Sequence, residues 1–91
     1  MTLTRANAAR IIAAAAHECM GDGARGDHRD VIYLSHARLY DGPTPPVDDP
    51  AIEAIATLAE QRHEADAAIT GEWPADYAAT LMLATFGPPT L

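Results

Sequence analysis

Four carboxylates occur at regular positions in the second half of the sequence. Asp49, Glu53, Glu60 and Glu64 are separated by four, seven and four residues. Successive residues of an α-helix turn by about 100°, so these positions share a stripe about 60° wide and about 22 Å long. Such a row could imitate nucleic-acid phosphates and compete for a groove lined with Arg and Lys. The solvated face of an ordinary amphipathic helix would show the same pattern.

A metal site is the second chemistry that the spacing suggests. Glu60 and His63 form a Glu-x-x-His pair, the spacing at which helices of carboxylate-bridged di-iron proteins present two ligands. Because only one such pair occurs, a complete centre would need a symmetric dimer and a further glutamate such as Glu18. A second set of residues matches no standard zinc spacing: His17, Cys19 and His28, with Asp22 or Asp27. We predict no resident metal or cofactor and keep a metal-binding dimer using Glu60 and His63 as an alternative.

Catalytic motifs are missing from the sequence. It has no Gly-rich phosphate loop, no Gly-x-Ser-x-Gly elbow and no His-Glu-x-x-His. Cys19 is the only cysteine, which rules out an intrachain disulfide and fits a small core residue. The adhesion tripeptide Arg25-Gly26-Asp27 has no secretory or disulfide context around it. We therefore predict a protein that is not an enzyme.

Charge is distributed unevenly along the chain. The formal net charge is −7, and from Asp48 to the end eight acidic residues face Arg62 as the one basic residue. Three of these acids extend the negative field beyond the stripe: Asp66, Glu72 and Asp76. Nucleic acids and anionic membranes attract Lys and Arg, so we expect no direct binding to either. A protein with a basic surface is the partner that we expect.

The sequence predicts four helices to position these residues. A helix capped by Thr4 runs to about Met20 and ends at Gly21, which is expected to be left-handed. Asp30 is expected to cap a helix over residues 31–40, although the β-branched and aromatic start makes residues 30–40 compatible with a strand. Residues 42–47 form a Pro-rich connector within one domain that covers residues 1–91.

The last two predicted helices follow this connector. One has Asp49 as its cap and Pro50 at its first position, and continues to about Thr70. The other is opened by Pro74 and ends at Phe86, before Gly87 and two prolines. The third helix has a predicted apolar seam opposite the carboxylates: Ile55, Leu58, Ala65 and Ile69. The fourth has one predicted apolar side: Trp73, Tyr77, Leu81 and Ala84.

Aromatic residues flank the predicted second and fourth helices. Tyr33, Tyr40 and Trp73 are expected to lie in the core, and any of them left exposed would be suited to a binding hot spot. The apolar run at residues 11–16 is too short to span a membrane, so we expect a cytoplasmic protein.

These observations predict an all-α bundle that binds another protein. No stretch carries a family motif. In size and acidity the chain is similar to the compact proteins that phages and mobile elements use against nucleic-acid-targeting defence systems, anti-CRISPR proteins among them. That similarity implies an inhibitor that occupies a basic, nucleic-acid-binding surface of a larger protein. The alternatives are the metal-binding dimer and a structural homo-oligomer paired through the Ala-rich first helix and the apolar seam.

Overall fold

The computed structural model describes residues 5–21, 26–46, 48–66, 69 and 71–89. These residues form four α-helices and contain no strand: α1 (Arg5–Met20), α2 (His28–Leu39), α3 (Pro50–Asp66) and α4 (Ala75–Phe86). The predicted small all-α bundle is confirmed. Helices that are consecutive in sequence pack against each other, and α1 also packs against α4. The four helices therefore enclose one apolar core.

The first helix ends where the sequence predicts, but for a different reason. α1 ends at Met20, while its predicted cap Thr4 lies outside the described residues. The expectation that Gly21 is left-handed is wrong, because its φ is not positive. Its amide instead donates to the His17 carbonyl at 2.9 Å, and a Cβ at this position would collide with that carbonyl. The close approach of the backbone, and not its handedness, favours glycine here.

Residues 30–39 are helical, as preferred over the strand alternative, but α2 begins earlier than predicted. Asp27 is the N-cap: its carboxylate accepts from the Asp30 amide at 3.1 Å, and the Asp30 carboxylate accepts from the Asp27 amide at 3.0 Å. This reciprocal capping box makes Asp30 the third residue of the helix rather than its cap. Tyr40 is already extended, and residues 43–46 of the predicted connector have no regular structure, while residue 47 lies outside the described part.

Alanine supplies much of the core. A small side chain lets two helix axes approach closely, so alanines on facing helices can close the bundle. The largest side chains that are fully buried come from all four helices: Ile12, Val31, Ile32, Leu39, Ile52 and Met82. The buried alanines come from α1, α3 and α4: Ala8, Ala9, Ala15, Ala16, Ala56, Ala59, Ala78 and Ala79.

The apolar seam predicted for α3 is wrong, except at Ile55. Leu58 is 40% exposed, Ile69 is 81% exposed, and Ala65 is exposed as well. The buried face is instead formed by one set of residues: Ile52, Ile55, Ala56 and Ala59. The prediction gave too little weight to the two alanines, which are buried because their size fits a close helix contact. α3 ends at Asp66, and residues 67, 68 and 70 of its predicted end are outside the described part.

This correction moves the carboxylate stripe relative to the core. At about 100° per residue, the centre of the buried face is about 100° from the centre of the stripe. The stripe therefore follows one side of α3, next to a neighbouring helix, and is not opposite the core. We call the exposed glutamates of this side the acidic flank: Glu53, Glu60 and Glu64.

The apolar side predicted for α4 is also wrong. Its buried residues are Ala78, Ala79 and Met82, whereas Ala84 is exposed and Tyr77 and Leu81 are half-buried. Pro74 precedes the helix as its N-cap, and Gly87 ends it with a φ of 86°. With a ψ of −172°, this backbone lies in a positive-φ region that essentially only glycine occupies, so the predicted stop at Gly87 is confirmed.

A buried aromatic cluster ties the end of α2 to the end of α4. The Tyr40 hydroxyl donates to the Gly87 carbonyl at 2.7 Å. The His36 ring packs against the rings of Tyr40 and Phe86, with centroid distances of 4.7 and 4.6 Å, and those two rings also contact each other at 5.8 Å. His36 is 7% exposed, its Nδ1 has no hydrogen-bond partner, and burial lowers the pKa of its imidazole. Of the tyrosines predicted in the core, Tyr40 is buried and Tyr33 is 38% exposed.

Candidate functional site

An open groove of about 850 Å³ lies between α1 and the segment that joins α3 to α4. One wall is formed by small residues of α1, and we call the cavity the alanine groove after them: Ala6, Ala9, Ala13 and Ala16. These residues follow each other at steps of three, four and three, which places them on one helix face. From Ala6 to Met20, which also lines the groove, the wall is about 21 Å long.

The opposite wall carries a tryptophan that is held by a hydrogen bond. Trp73 Nε1 donates to His28 Nδ1 at 3.1 Å, and the two rings are stacked with their centroids 6.3 Å apart. The His63 ring packs edge-on against His28 at 5.8 Å. Because His28 Nδ1 accepts this bond, the neutral His28 ring carries its proton on Nε2. The contacts fix the Trp73 indole at the groove and join α2, the end of α3 and the start of α4.

Three of the carboxylates predicted as binding residues lie at this groove. Asp66 comes from the end of α3, Glu72 from the connection, and Asp76 from the first turn of α4. Glu72 and Asp76 are exposed, whereas Asp66 is half-buried and pairs with Arg62 at 3.3 Å. α1 contributes Arg10 to the groove as its one arginine, so the formal charges of the lining residues are predominantly negative.

The remaining predicted carboxylates lie elsewhere. Glu53 and Glu60 line a smaller cleft of about 250 Å³ between α2 and α3, together with Asp27 and Arg29. Glu64 is exposed further along the same flank. The structure thus divides the predicted binding residues other than Asp49 between the acidic flank and the alanine groove.

Asp49 has a structural role at the end of the stripe. Its Oδ1 accepts from the Ala51 amide at 2.9 Å, as the sequence predicts for a helix cap. The three glutamates of the acidic flank differ from Asp49 in this respect. In the described part of the chain, none of them forms an ion pair. Their charges are available to a partner, whereas that of Asp49 is already directed at the α3 amides.

The candidate metal ligands do not converge. Among the described residues, no three His, Cys, Asp or Glu side chains are placed to hold one metal ion. His63 lines the alanine groove, whereas Glu60 lines the cleft between α2 and α3. A centre built on this pair would therefore need ligands from a second copy of the chain. Asp22 of the other candidate set lies outside the described residues.

Cys19 packs against the core, as predicted for a small core residue. It is half-buried, and burial raises the pKa of its thiol, so the reactive thiolate is disfavoured. The neighbouring Glu18 pairs with Arg38 of α2, whose Nη2 lies 2.9 Å from Glu18 Oε1. The hydrogen bond from Arg38 lowers the pKa of Glu18. This pair joins α1 to α2 on the surface and supplies no acid or base for catalysis.

The comparisons with known proteins are negative. No protein-family model, curated protein or solved structure matches this chain. Within the described residues, none of the helices combines the length and the apolar character that crossing a membrane requires.

Several residues of the alanine groove are not marked by any pattern in the sequence. The Trp73 to His28 bond joins residues 45 positions apart, and no motif marks either residue as a partner of the other. The groove wall had one available signal, the alanine spacing of α1. This spacing predicts an Ala-rich helix suited to pairing. It does not distinguish the exposed alanine face of α1 from the buried one, because both consist of alanine at helical spacing.

Proposed function

We propose that this chain is a non-catalytic protein-binding module whose acidic flank occupies a basic surface of a larger protein. The observation that carries this proposal is the exposure of Glu53, Glu60 and Glu64 on one side of α3, without an ion pair in the described part of the chain. Carboxylates in this state can form charge-assisted bonds to Arg and Lys of a partner without first losing an internal one.

The geometry of the acidic flank favours a partner surface that normally binds nucleic acid. All three glutamates lie on one helix, where Glu53 and Glu60 are about 10 Å apart along the axis and Glu60 and Glu64 about 6 Å. A helix holds the spacing of such charges fixed, so little backbone order has to be gained on binding. A groove lined with Arg and Lys is already arranged for a series of negative charges.

The finer proposal is an inhibitor that excludes nucleic acid from its partner. Its support is the small size of the chain, its net charge of −7 and the position of the acidic flank. In this general character it is similar to the acidic proteins that phages and mobile elements direct against nucleic-acid-targeting defence systems. Arg29 lines the same cleft as Glu53 and Glu60, so it sets one edge of the contact by repelling basic groups.

The test is capture of the partner from the native cytoplasm by the immobilised chain. The E53Q/E60Q/E64Q variant removes three negative charges from the acidic flank. The A14K/A37K/T85K variant is the matched control, because it changes the net charge by the same amount at exposed positions outside the flank. We expect the wild type and the control to capture the same basic protein, and added DNA or RNA to release it.

Loss of the partner from the glutamine variant alone would support the acidic flank as the binding surface. Equal capture by all three proteins would contradict the proposal. So would a partner that nucleic acid fails to release, because the two would then not compete for one surface. Circular dichroism of each variant checks that the helical fold is retained.

A further inference from the structure

We infer that the alanine groove is a second docking surface, and that its occupant is a basic amphipathic helix of a protein partner. The inference rests on one part of the proposed function, namely that the partner is a protein with a basic surface. It concerns a different face, because the groove lies between α1 and the start of α4, whereas Glu53 and Glu60 line the cleft between α2 and α3.

The wall formed by α1 fits a helix. Ala6 and Ala13 are exposed, and Ala9 and Ala16 are 8% and 5% exposed beneath them, so the middle of this wall carries only methyl groups. The longer α1 side chains that line the groove, Arg10 and His17, lie along one edge of the alanines, and Met20 lies at the C-terminal end of the wall. Helix axes approach to about 8 Å when the residues at the contact are small. The wall from Ala6 to Met20 matches about 14 residues, or four turns, of a helix that lies along it.

Trp73 supplies the apolar contact on the other wall. Its indole is half-buried and already bonded through Nε1 to His28, so no polar atom of the ring would lose a partner when the groove is filled. A fixed aromatic ring next to a concave apolar surface is a typical interface hot spot. The occupant must therefore carry apolar side chains on the face that enters the groove.

The charges that line the groove indicate that the occupant is basic. Glu72 and Asp76 line the side formed by the connection and α4, together with Asp66, whose charge is shared with Arg62, and Arg10 lies on the α1 side. A helix with Lys or Arg along one edge would place them beside these carboxylates. A second copy of this chain fits less well, because two chains of net charge −7 repel each other.

The single tryptophan of the chain makes direct binding measurable. The probe is a synthetic peptide of about 18 residues, long enough to form a helix, with Ala and Leu on one face, Lys along one edge and no aromatic residue. A scrambled peptide of the same composition keeps the charge and loses the apolar face. We expect the first peptide to shift the Trp73 emission in a saturable manner, and the scrambled peptide to leave it unchanged.

Two matched variants locate the bound peptide. A13R places a long cation on the groove wall, whereas A14R places the same charge on an exposed position about 100° further around α1. We expect A13R to raise the Kd for the peptide about tenfold or more and A14R to leave it within about twofold. NMR should show shifts at the α1 amides that line the groove.

The inference is overturned if A13R and A14R weaken binding equally, or if the scrambled peptide binds as tightly as the amphipathic one. It is also overturned if light scattering shows a dimer that A13R converts to a monomer, since a second copy would then fill the groove. The E53Q/E60Q/E64Q variant distinguishes failure of the groove inference from failure of the acidic-flank proposal. It should still bind the peptide, so the flank and the groove can fail independently.

Discussion

His36 provides a stability switch whose size can be worked out from its surroundings. The residue is 7% exposed, and its ring packs against the Tyr40 and Phe86 rings and has an Nδ1 without a hydrogen-bond partner. Burial lowers the pKa of His36 in the folded protein, because no neighbouring group compensates a charge on the ring. In the unfolded chain the same imidazole regains an ordinary pKa of about 6.5. Acid therefore favours the unfolded state, which binds a proton that the folded state does not.

The sign and the size of the effect follow from this difference. The stability contributed by a neutral His36 is complete above about pH 6.5 and is lost as the pH falls toward the lowered pKa of the folded state. Each pH unit in this window costs at most about 1.4 kcal/mol, so acidification to about pH 5 costs at most about 2 kcal/mol. For a domain of this size that corresponds to a Tm decrease of up to about 16 °C.

Thermal or urea unfolding at a series of pH values between about 7.5 and about 5 measures the effect. H36L and H36Q remove the titrating group and should make the free energy of unfolding less dependent on pH than in the wild type. H17Q is the matched control, since His17 is exposed and its replacement should leave the dependence unchanged. Parallel pH dependence in the wild type and both His36 variants would refute the reasoning.

Three further predictions concern the contacts that close the bundle. Tyr40→Phe removes the bond to the Gly87 carbonyl and should lower the free energy of unfolding by about 1–2 kcal/mol in urea titrations, whereas Tyr33→Phe at an exposed position should change it by less than about 0.5 kcal/mol. Ile12→Ala opens a cavity at a fully buried position and should cost about 2–5 kcal/mol, while Ile69→Ala, 81% exposed, should have little effect; similar losses at both sites would contradict the assigned core. Asp27→Ala removes the α2 capping box and should cost about 1 kcal/mol with reduced helical circular dichroism, and an unchanged free energy of unfolding would contradict that role.

The helices and most of their ends could be predicted from local chemistry. Asp49 accepts from an amide in the first turn of α3, and Gly87 ends α4 with a positive φ, as their residue types indicate. The start of α2 was placed too late, because Asp27 and Asp30 are both acceptable caps and only the reciprocal bond distinguishes them.

The buried faces were predicted less well, since side-chain size was a poor guide in a core rich in alanine. Ala56 and Ala59 share the buried face of α3 with Ile52 and Ile55, whereas Leu58 lies about 110° further around the helix and is 40% exposed. The alanine groove depended on these faces and on long-range contacts. Asp66, Glu72 and Asp76 were identified as a negative field, but only the packing of α1 against α4 brings them opposite an alanine wall.

The most direct test of the acidic flank is the salt dependence of binding to the purified partner. We propose isothermal titration over a range of salt concentrations with three proteins: the wild type, E53Q/E60Q/E64Q and A14K/A37K/T85K. The comparison separates the effect of the flank contacts on affinity from the effect of the net charge. We predict that the glutamine variant binds at least about tenfold more weakly and with a shallower salt dependence, while the lysine control stays close to the wild type. Equal affinities and equal salt dependence for the glutamine variant and the wild type would contradict the central claim.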